Sequence, residues 1–163
     1  YRDADGFFYF AGRSADWMRV DGENFAGAPI EGILMRHPNV ILAAVYGIPD
    51  FDMGDRVMAA LQLQPGTTID SAEFAEFLRA QSDLGPKWVP SFVQIVVDFP
   101  MTPSNKVIKR ELVLRRWHDV ERHDDVQLWW RPSKEIAFSQ FTRVEATELR
   151  AKFAANNRGA LLD

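Results

Sequence analysis

The chain has 163 residues, of which 47% are hydrophobic, 26% charged and 12% aromatic, a composition that excludes collagenous and disordered classes and supports one packed core. A formal net charge of −4 argues against a broad nucleic-acid or anionic-membrane footprint, since neutralising phosphates takes a clustered excess of Lys and Arg. The lack of cysteine removes disulfide scaffolds, Cys-ligated zinc and thiol nucleophiles together, and fits a reducing, cytoplasmic setting.

From Gly6, the segment Phe7-Phe8-Tyr9-Phe10-Ala11 has the character of a short strand, and Gly12-Arg13-Ser14 turns it towards a second strand around Trp17 to Val20. Together they predict a hairpin. Asp21-Gly22-Glu23-Asn24 is a turn signal. Pro29 then suits the first position of a helix, where a missing N–H costs nothing, and Ile30, Ile33 and Leu34 share one face before His37-Pro38 ends it. Val40 to Ile48 is almost continuously apolar, too short to span a bilayer but typical of a strand covered on both faces, which predicts a central place in a sheet. Arg56 to Gln64 forms the next strand, stopped by Pro65-Gly66-Thr67. Asp70 and Glu73 stand like a capping box at the head of a helix that turns Phe74, Phe77 and Leu78 inward, and Phe92 to Val97 follows as a strand.

After Pro100, the stretch Met101-Thr102-Pro103-Ser104-Asn105 is too rich in turn formers for regular structure, and Val107 to Arg116 reads as a short basic helix. Two turn-like stretches, Arg122-His123-Asp124-Asp125 and Arg131-Pro132-Ser133, divide the remainder. Thr142 and Glu145 repeat the capping-box spacing ahead of a helix with Ala146, Leu149 and Phe153 on one face and Gly159 as its C-cap. The alternation predicts an α+β fold, with a β-hairpin, a roughly three-stranded sheet flanked by helices, and a C-terminal helical extension.

Few residues carry chemistry by spacing alone. His37, His118 and His123 show no metal-ligand pattern, Ser14, Ser91 and Ser104 lack a nucleophile elbow, and there is no phosphate loop with its lysine, so no metal site is expected. Two features remain: Gly12-Arg13 with Arg19 and Gly22-Glu23-Asn24, where glycine permits close backbone approach and arginine can fork onto phosphate, and Lys106 on its turn-rich loop. Tyr1 is not an initiator methionine and no secretory leader follows it, so a piece of a longer, unsecreted protein is expected.

These residues carry a resemblance. Gly12-Arg13-Ser14-Ala15-Asp16-Trp17-Met18-Arg19-Val20-Asp21-Gly22-Glu23-Asn24-Phe25, ending in Ile30-Glu31, resembles the motif that opens the C-terminal domain of adenylate-forming enzymes. Gly47-Ile48-Pro49-Asp50 with Gly54-Asp55-Arg56, Leu84-Gly85-Pro86-Lys87-Trp88-Val89-Pro90, and Phe99-Pro100-Met101-Thr102-Pro103-Ser104-Asn105-Lys106 running on to Leu112 resemble three further motifs of that family in the same order. The phrase Arg19-Val20-Asp21-Gly22-Glu23-Asn24-Phe25 is most similar to the fatty-acid-transport-protein and very-long-chain acyl-CoA synthetase branch.

The resemblance implies that residues 1–116 are a mobile lid and residues 117–163 an extension packing on it. A large N-terminal domain, absent from this chain, would hold ATP, Mg²⁺ and the acyl substrate, so the fragment alone is expected to be inactive. Lys106 falls at the place of the adenylation lysine and Arg13 at that of an arginine near the nucleotide. Gly22, with Glu23 beside it, falls where the pantetheine arm of CoA passes, and Ala15 stands at the hinge. The implied reaction is ATP-dependent activation of a fatty or other lipophilic carboxylic acid to an acyl-AMP, then thioester formation. Partners are the chain's own N-terminal domain and its acid substrate, with no nucleic acid. Nothing in the lid supplies a membrane anchor, which leaves peripheral membrane association to the intact protein. Two other readings share these residues: the lid of an enzyme loading a carrier-protein phosphopantetheine, and a non-catalytic binding module that kept the fold.

Overall fold

A computed structural model of the chain describes residues 17–52 and 54–162. The expected strand at Phe7 to Ala11, its turn, Arg13 and Ala15 lie outside the described residues.

Within the described residues a hairpin forms across the Asp21-Gly22 turn. Strand β1 (Trp17–Val20) pairs antiparallel with β2 (Glu23–Ala26), Val20 opposite Glu23. Asp21 and Gly22 make the connection at φ 47° and 81°, the two positive dihedrals that a two-residue type I′ turn requires and that Asp-Gly supplies. Glu23 and Asn24 therefore belong to a strand rather than to the turn. Helix α1 (Ala28–Leu34) follows, with Pro29 in its first turn and Ile30, Ile33 and Leu34 buried, as the spacing predicts.

The second sheet runs β3 (Val40–Pro49), β4 (Asp55–Leu63), β5 (Phe92–Val96), β6 (Leu128–Trp130), β7 (Ser139–Gln140) in spatial order. Among the described strands only β4 and β5 are parallel, joined through α2 (Ser71–Arg79). Among the described residues the sheet thus has five strands rather than about three. The added pair is built from Leu128-Trp129-Trp130 and Ser139-Gln140, which are too short to show a period. Strand β3 is a correction of another kind: it is covered on both faces, as its apolar run predicts, yet it lies at the sheet's edge. Ala43 and Val45 face a core shared with Met18, Ile30, Phe74 and Trp129. Ala44, Tyr46 and Ile48 face a second core with Trp117, Phe141 and Phe153. The exposed edge is closed from the side, because the Glu31 carboxylate accepts the Val45 N–H at 2.8 Å. Gly27 sits so close that a Cβ there would lie 2.4 Å from the Val45 oxygen.

The second core is completed by α3 (Lys109–Arg115), α4 (Asp119–Arg122) and α5 (Arg143–Ala155). Thr142 and Glu145 form the expected capping box, and Ala146, Leu149 and Phe153 are buried. The far end differs from expectation. The C-cap is Asn156, and Asn157 takes the left-handed conformation at φ 55°. Arg158 N–H donates to the Phe153 oxygen and Asn157 N–H to that of Ala154, a Schellman closure. Gly159 instead opens a short 3₁₀ turn, Gly159–Leu162. At α2 only half of the expected box forms: Asp70 accepts the N–H groups of Ala72 and Glu73, while the Glu73 carboxylate lies 3.9 Å from the buried His37 ring. The extension is tied together by Arg150, which donates to both carboxylate oxygens of Glu121 and lies 5.2 Å from the Trp117 ring centroid. Among the described residues no helix is long and apolar enough to cross a membrane.

Candidate functional site

The β1–β2 turn is held from three sides. Lys87 places its ammonium 2.7 Å from Glu23 Oε1 and 3.1 Å from the Asp21 carbonyl oxygen. Trp88 sets its ring 6.0 Å from that of Phe25. The Gly54-Asp55 pair supplies the third contact. Asp55 Oδ2 accepts the Arg19 N–H at 2.9 Å, and Gly54, at φ 70°, is packed so tightly that a Cβ would lie 2.5 Å from the Arg19 oxygen. Two of the sequence motifs are thereby given a mechanical role, since they seat the turn that carries Gly22. Gly22 itself is free of that crowding: among the described residues, no atom beyond its two chain neighbours lies within 4 Å of where its Cβ would stand. Its φ of 81° is what demands glycine.

Lys106 sits on a loop that is far more ordered than its composition suggests. Asn105 N–H donates to the Thr102 oxygen, Thr102 N–H to the Lys106 oxygen, and Lys106 N–H to Thr102 Oγ1. Met101 bridges to Val107 across the base. The result is a type I turn followed by a left-handed residue, and that residue is Asn105 at φ 57°. Asn suits this position because its short polar side chain tolerates the left-handed region. Asn105→Ala should therefore cost about 1 kcal/mol of stability, measured by urea unfolding of the intact protein, and Asn105→Gly should cost nothing. Lys106 is exposed, and among the described residues no carboxylate lies within ion-pair distance of its ammonium. Lys109 is engaged instead, at 2.7 Å from the Glu31 carboxylate that closes the β3 edge, so the start of α3 is anchored to the sheet while Lys106 is left free.

The site residues fall into two places. Gly22 lies in the turn and Glu23 directly after it at the start of β2, and beside them opens a cleft of about 420 Å³ whose lining includes Val20, Asp21, Asp50, Asp55, Arg56 and Arg131. Lys106 is not among the residues lining it. Arg13 and Ala15 lie outside the described residues. Arg131 is the cleft residue that sequence reasoning passed over: Arg131-Pro132-Ser133 carries a turn signal and no recognised motif, and only the pairing of β6 with β5 brings it here.

Residues 29–106 match the AMP-binding enzyme C-terminal domain. The chain is 44% identical over 162 residues to steroid-22-oyl-CoA synthetase of Rhodococcus jostii (strain RHA1), an alignment covering 99% of this chain and 28% of that protein. It is 57% identical over 112 residues to the medium/long-chain-fatty-acid–CoA ligase FadD17 of Mycobacterium marinum (strain ATCC BAA-535 / M), covering 69% of this chain and 22% of that one. Among solved structures, ATP-bound MatB from Rhodopseudomonas palustris superposes with a TM-score of 0.61 at 31% identity, over 69% of this chain and 22% of that chain. The chain thus spans only 28% and 22% of the length of these two curated relatives. With its α+β architecture and its ordered set of motifs, the chain belongs to the AMP-binding enzymes, as their C-terminal domain.

Proposed function

We propose that this domain is the mobile lid of an ATP-dependent acyl-CoA synthetase acting on lipophilic carboxylic acids of the fatty-acid or steroid side-chain kind. Residues 1–116 form the lid and residues 117–163 its extension. The observation that carries the reading is the 44% identity to a CoA synthetase in an alignment that runs over 162 residues of this chain. The intact enzyme would convert carboxylate and ATP to acyl-AMP and pyrophosphate, and then pass the acyl group to the thiol of CoA with release of AMP.

In the first step Lys106 places a cation against the carboxylate and α-phosphate oxygens, where negative charge grows in the transition state. Arg13 stands near the nucleotide at the domain boundary, and Ala15 is the hinge, whose soft backbone matters more than its charge. In the second step the lid presents the Gly22 turn, with its backbone bare for the pantetheine arm and Glu23 fixing it through Lys87. Among the described residues no group of three or more histidine, aspartate or glutamate side chains is placed to hold a metal ion. The Mg²⁺ implied by the family is assigned to the N-terminal domain, and no step here runs through it. A cytoplasmic location follows from the ATP and CoA that the reaction consumes.

The test is acid-dependent ATP–pyrophosphate exchange and acyl-CoA formation by the intact protein across a panel of fatty and steroid side-chain acids. Exchange and thioester formation with a lipophilic acid are expected. Exchange without CoA acceptance would favour a carrier-loading enzyme, and a folded protein with no exchange on any acid would leave only a binding module.

A further inference from the structure

Lys106 is carried at the tip of a closed loop, and the reach of its ammonium depends on how that loop is mounted. The base is a backbone clasp: Ile108 N–H donates to the Pro100 oxygen at 2.8 Å, and Met101 bridges to Val107. Directly after Ile108 the chain enters α3, so the loop inherits the placement of the helix start. That helix is weakly fixed by its own residues. It has seven of them, its N-cap Ile108 makes no side-chain cap bond, and Leu112 alone among them is buried. A helix so short does not hold itself in place.

Lys109 supplies the missing anchor for the first turn. Its ammonium lies 2.7 Å from Glu31 Oε1, the same oxygen that accepts the Val45 N–H at 2.8 Å. Both side chains are largely covered, at 22% and 17% exposure, so solvent ions screen the pair weakly. Among the described residues it is the ion pair that ties α3 to another element, since Arg115 and Glu111 pair within the helix. Glu31 is itself held by α1, whose Ile30, Ile33 and Leu34 are buried in the first core. One carboxylate thus joins α1, the β3 edge and α3. The cation at 106 stays free, and the cation three residues on is bound into the mounting.

We propose that Glu31 and Lys109 are positioning residues for the adenylation step: their ion pair fixes the start of α3 and thereby the point from which Lys106 meets the reacting oxygens. The inference rests on the acyl-CoA synthetase reading, with Lys106 as its adenylation lysine. A charge that stabilises a transition state acts only where it is held, and a misplacement of about 1 Å can cost about 10²-fold in rate. Releasing the helix start lets the ammonium leave that point while its charge is unchanged.

The experiment measures the two half-reactions of the intact enzyme separately. Glu31→Gln keeps an oxygen for the Val45 N–H and removes the charge, and Lys109→Met keeps the apolar stem and removes the ammonium. Each should lower kcat for acid-dependent ATP–pyrophosphate exchange by about tenfold or more. KM for ATP should stay within about twofold, and thioester formation from supplied acyl-AMP within about threefold. Lys109→Arg, which can still pair with Glu31, should return most of the exchange. The decisive variant combines Lys109→Met with Lys106→Ala: the added loss should be less than about twofold, because an ammonium already removed cannot be misplaced. An equal fall in both half-reactions would make the pair a structural tie only. A further loss of about tenfold on top of Lys106→Ala would show the pair acting without Lys106, and unchanged exchange would show no role. Each of these overturns the proposal while the synthetase reading stands. Exchange unaffected by Lys106→Ala overturns the lysine's role and the proposal with it, and a folded enzyme with no exchange on any acid fails the synthetase reading itself.

Discussion

Lys106→Ala in the intact enzyme should reduce acid-dependent ATP–pyrophosphate exchange by about 10²–10³ without a measurable change in Tm. The magnitude follows from Coulomb's law at a water-poor interface: a unit charge about 4 Å from an oxyanion is worth about 4 kcal/mol at an effective dielectric near 20, or about three decades in rate. The stability half follows from the structure. The Lys106 side chain is exposed, and the hydrogen bonds that shape its loop run through backbone atoms and the Thr102 hydroxyl. A loss of activity with the fold intact therefore reports the ammonium alone. Lys106→Arg should recover only part of the rate, because a planar fork does not occupy the place of a compact, rotatable ammonium. Thioester formation from supplied acyl-AMP should fall far less than the exchange. Exchange within about threefold of wild type in Lys106→Ala would remove the lysine from the chemistry.

What the sequence made legible followed from local chemistry. The helix faces of α1 and α5 and the strand lengths of β3 and β4 come from periodicity and punctuation. The Thr142–Glu145 box comes from two side chains that satisfy each other's backbone groups. The rest needed long-range information. The apolar run of β3 has the signature of a central strand because both of its faces are buried, but burial of faces does not report hydrogen-bonding edges. The edge is closed by Glu31, fourteen residues away. The Asp21-Gly22 pair was visible as a turn, yet placing Glu23 and Asn24 in the strand after it required a register. The pairings of β6 and β7 rest on three-residue and two-residue segments that have no period to read. Arg131 was invisible for the same reason. The motifs around Gly54 and Lys87 were found as family pattern, and only the contacts to Arg19, Asp21 and Glu23 show that they brace one turn.

That bracing sets up the second large effect, at Gly22. Any L-residue there must adopt φ near 81°, a conformation that costs about 1–2 kcal/mol, so Gly22→Ala should lower Tm by a few degrees. Among the described residues, no atom beyond the two chain neighbours stands within 4 Å of the added Cβ, and these residues therefore add no steric penalty. A further loss must arise from whatever passes the turn in the thioester-forming state. Gly22→Ala should reduce acyl-CoA formation from supplied acyl-AMP by about tenfold or more, 1.4 kcal/mol upward, and reduce pyrophosphate exchange by less than about threefold. Such a split is what an enzyme with two lid positions produces, because only one of them uses this face. Gly22→Asn separates strain from clearance. Asn tolerates the left-handed region, so its cost in Tm should be smaller than that of Ala, while its larger side chain should depress thioester formation at least as far. If Asn instead restores thioester formation, the glycine is needed for the shape of the turn and the pantetheine arm does not pass over it. If both variants lower the two half-reactions equally, the turn is not the face that distinguishes them.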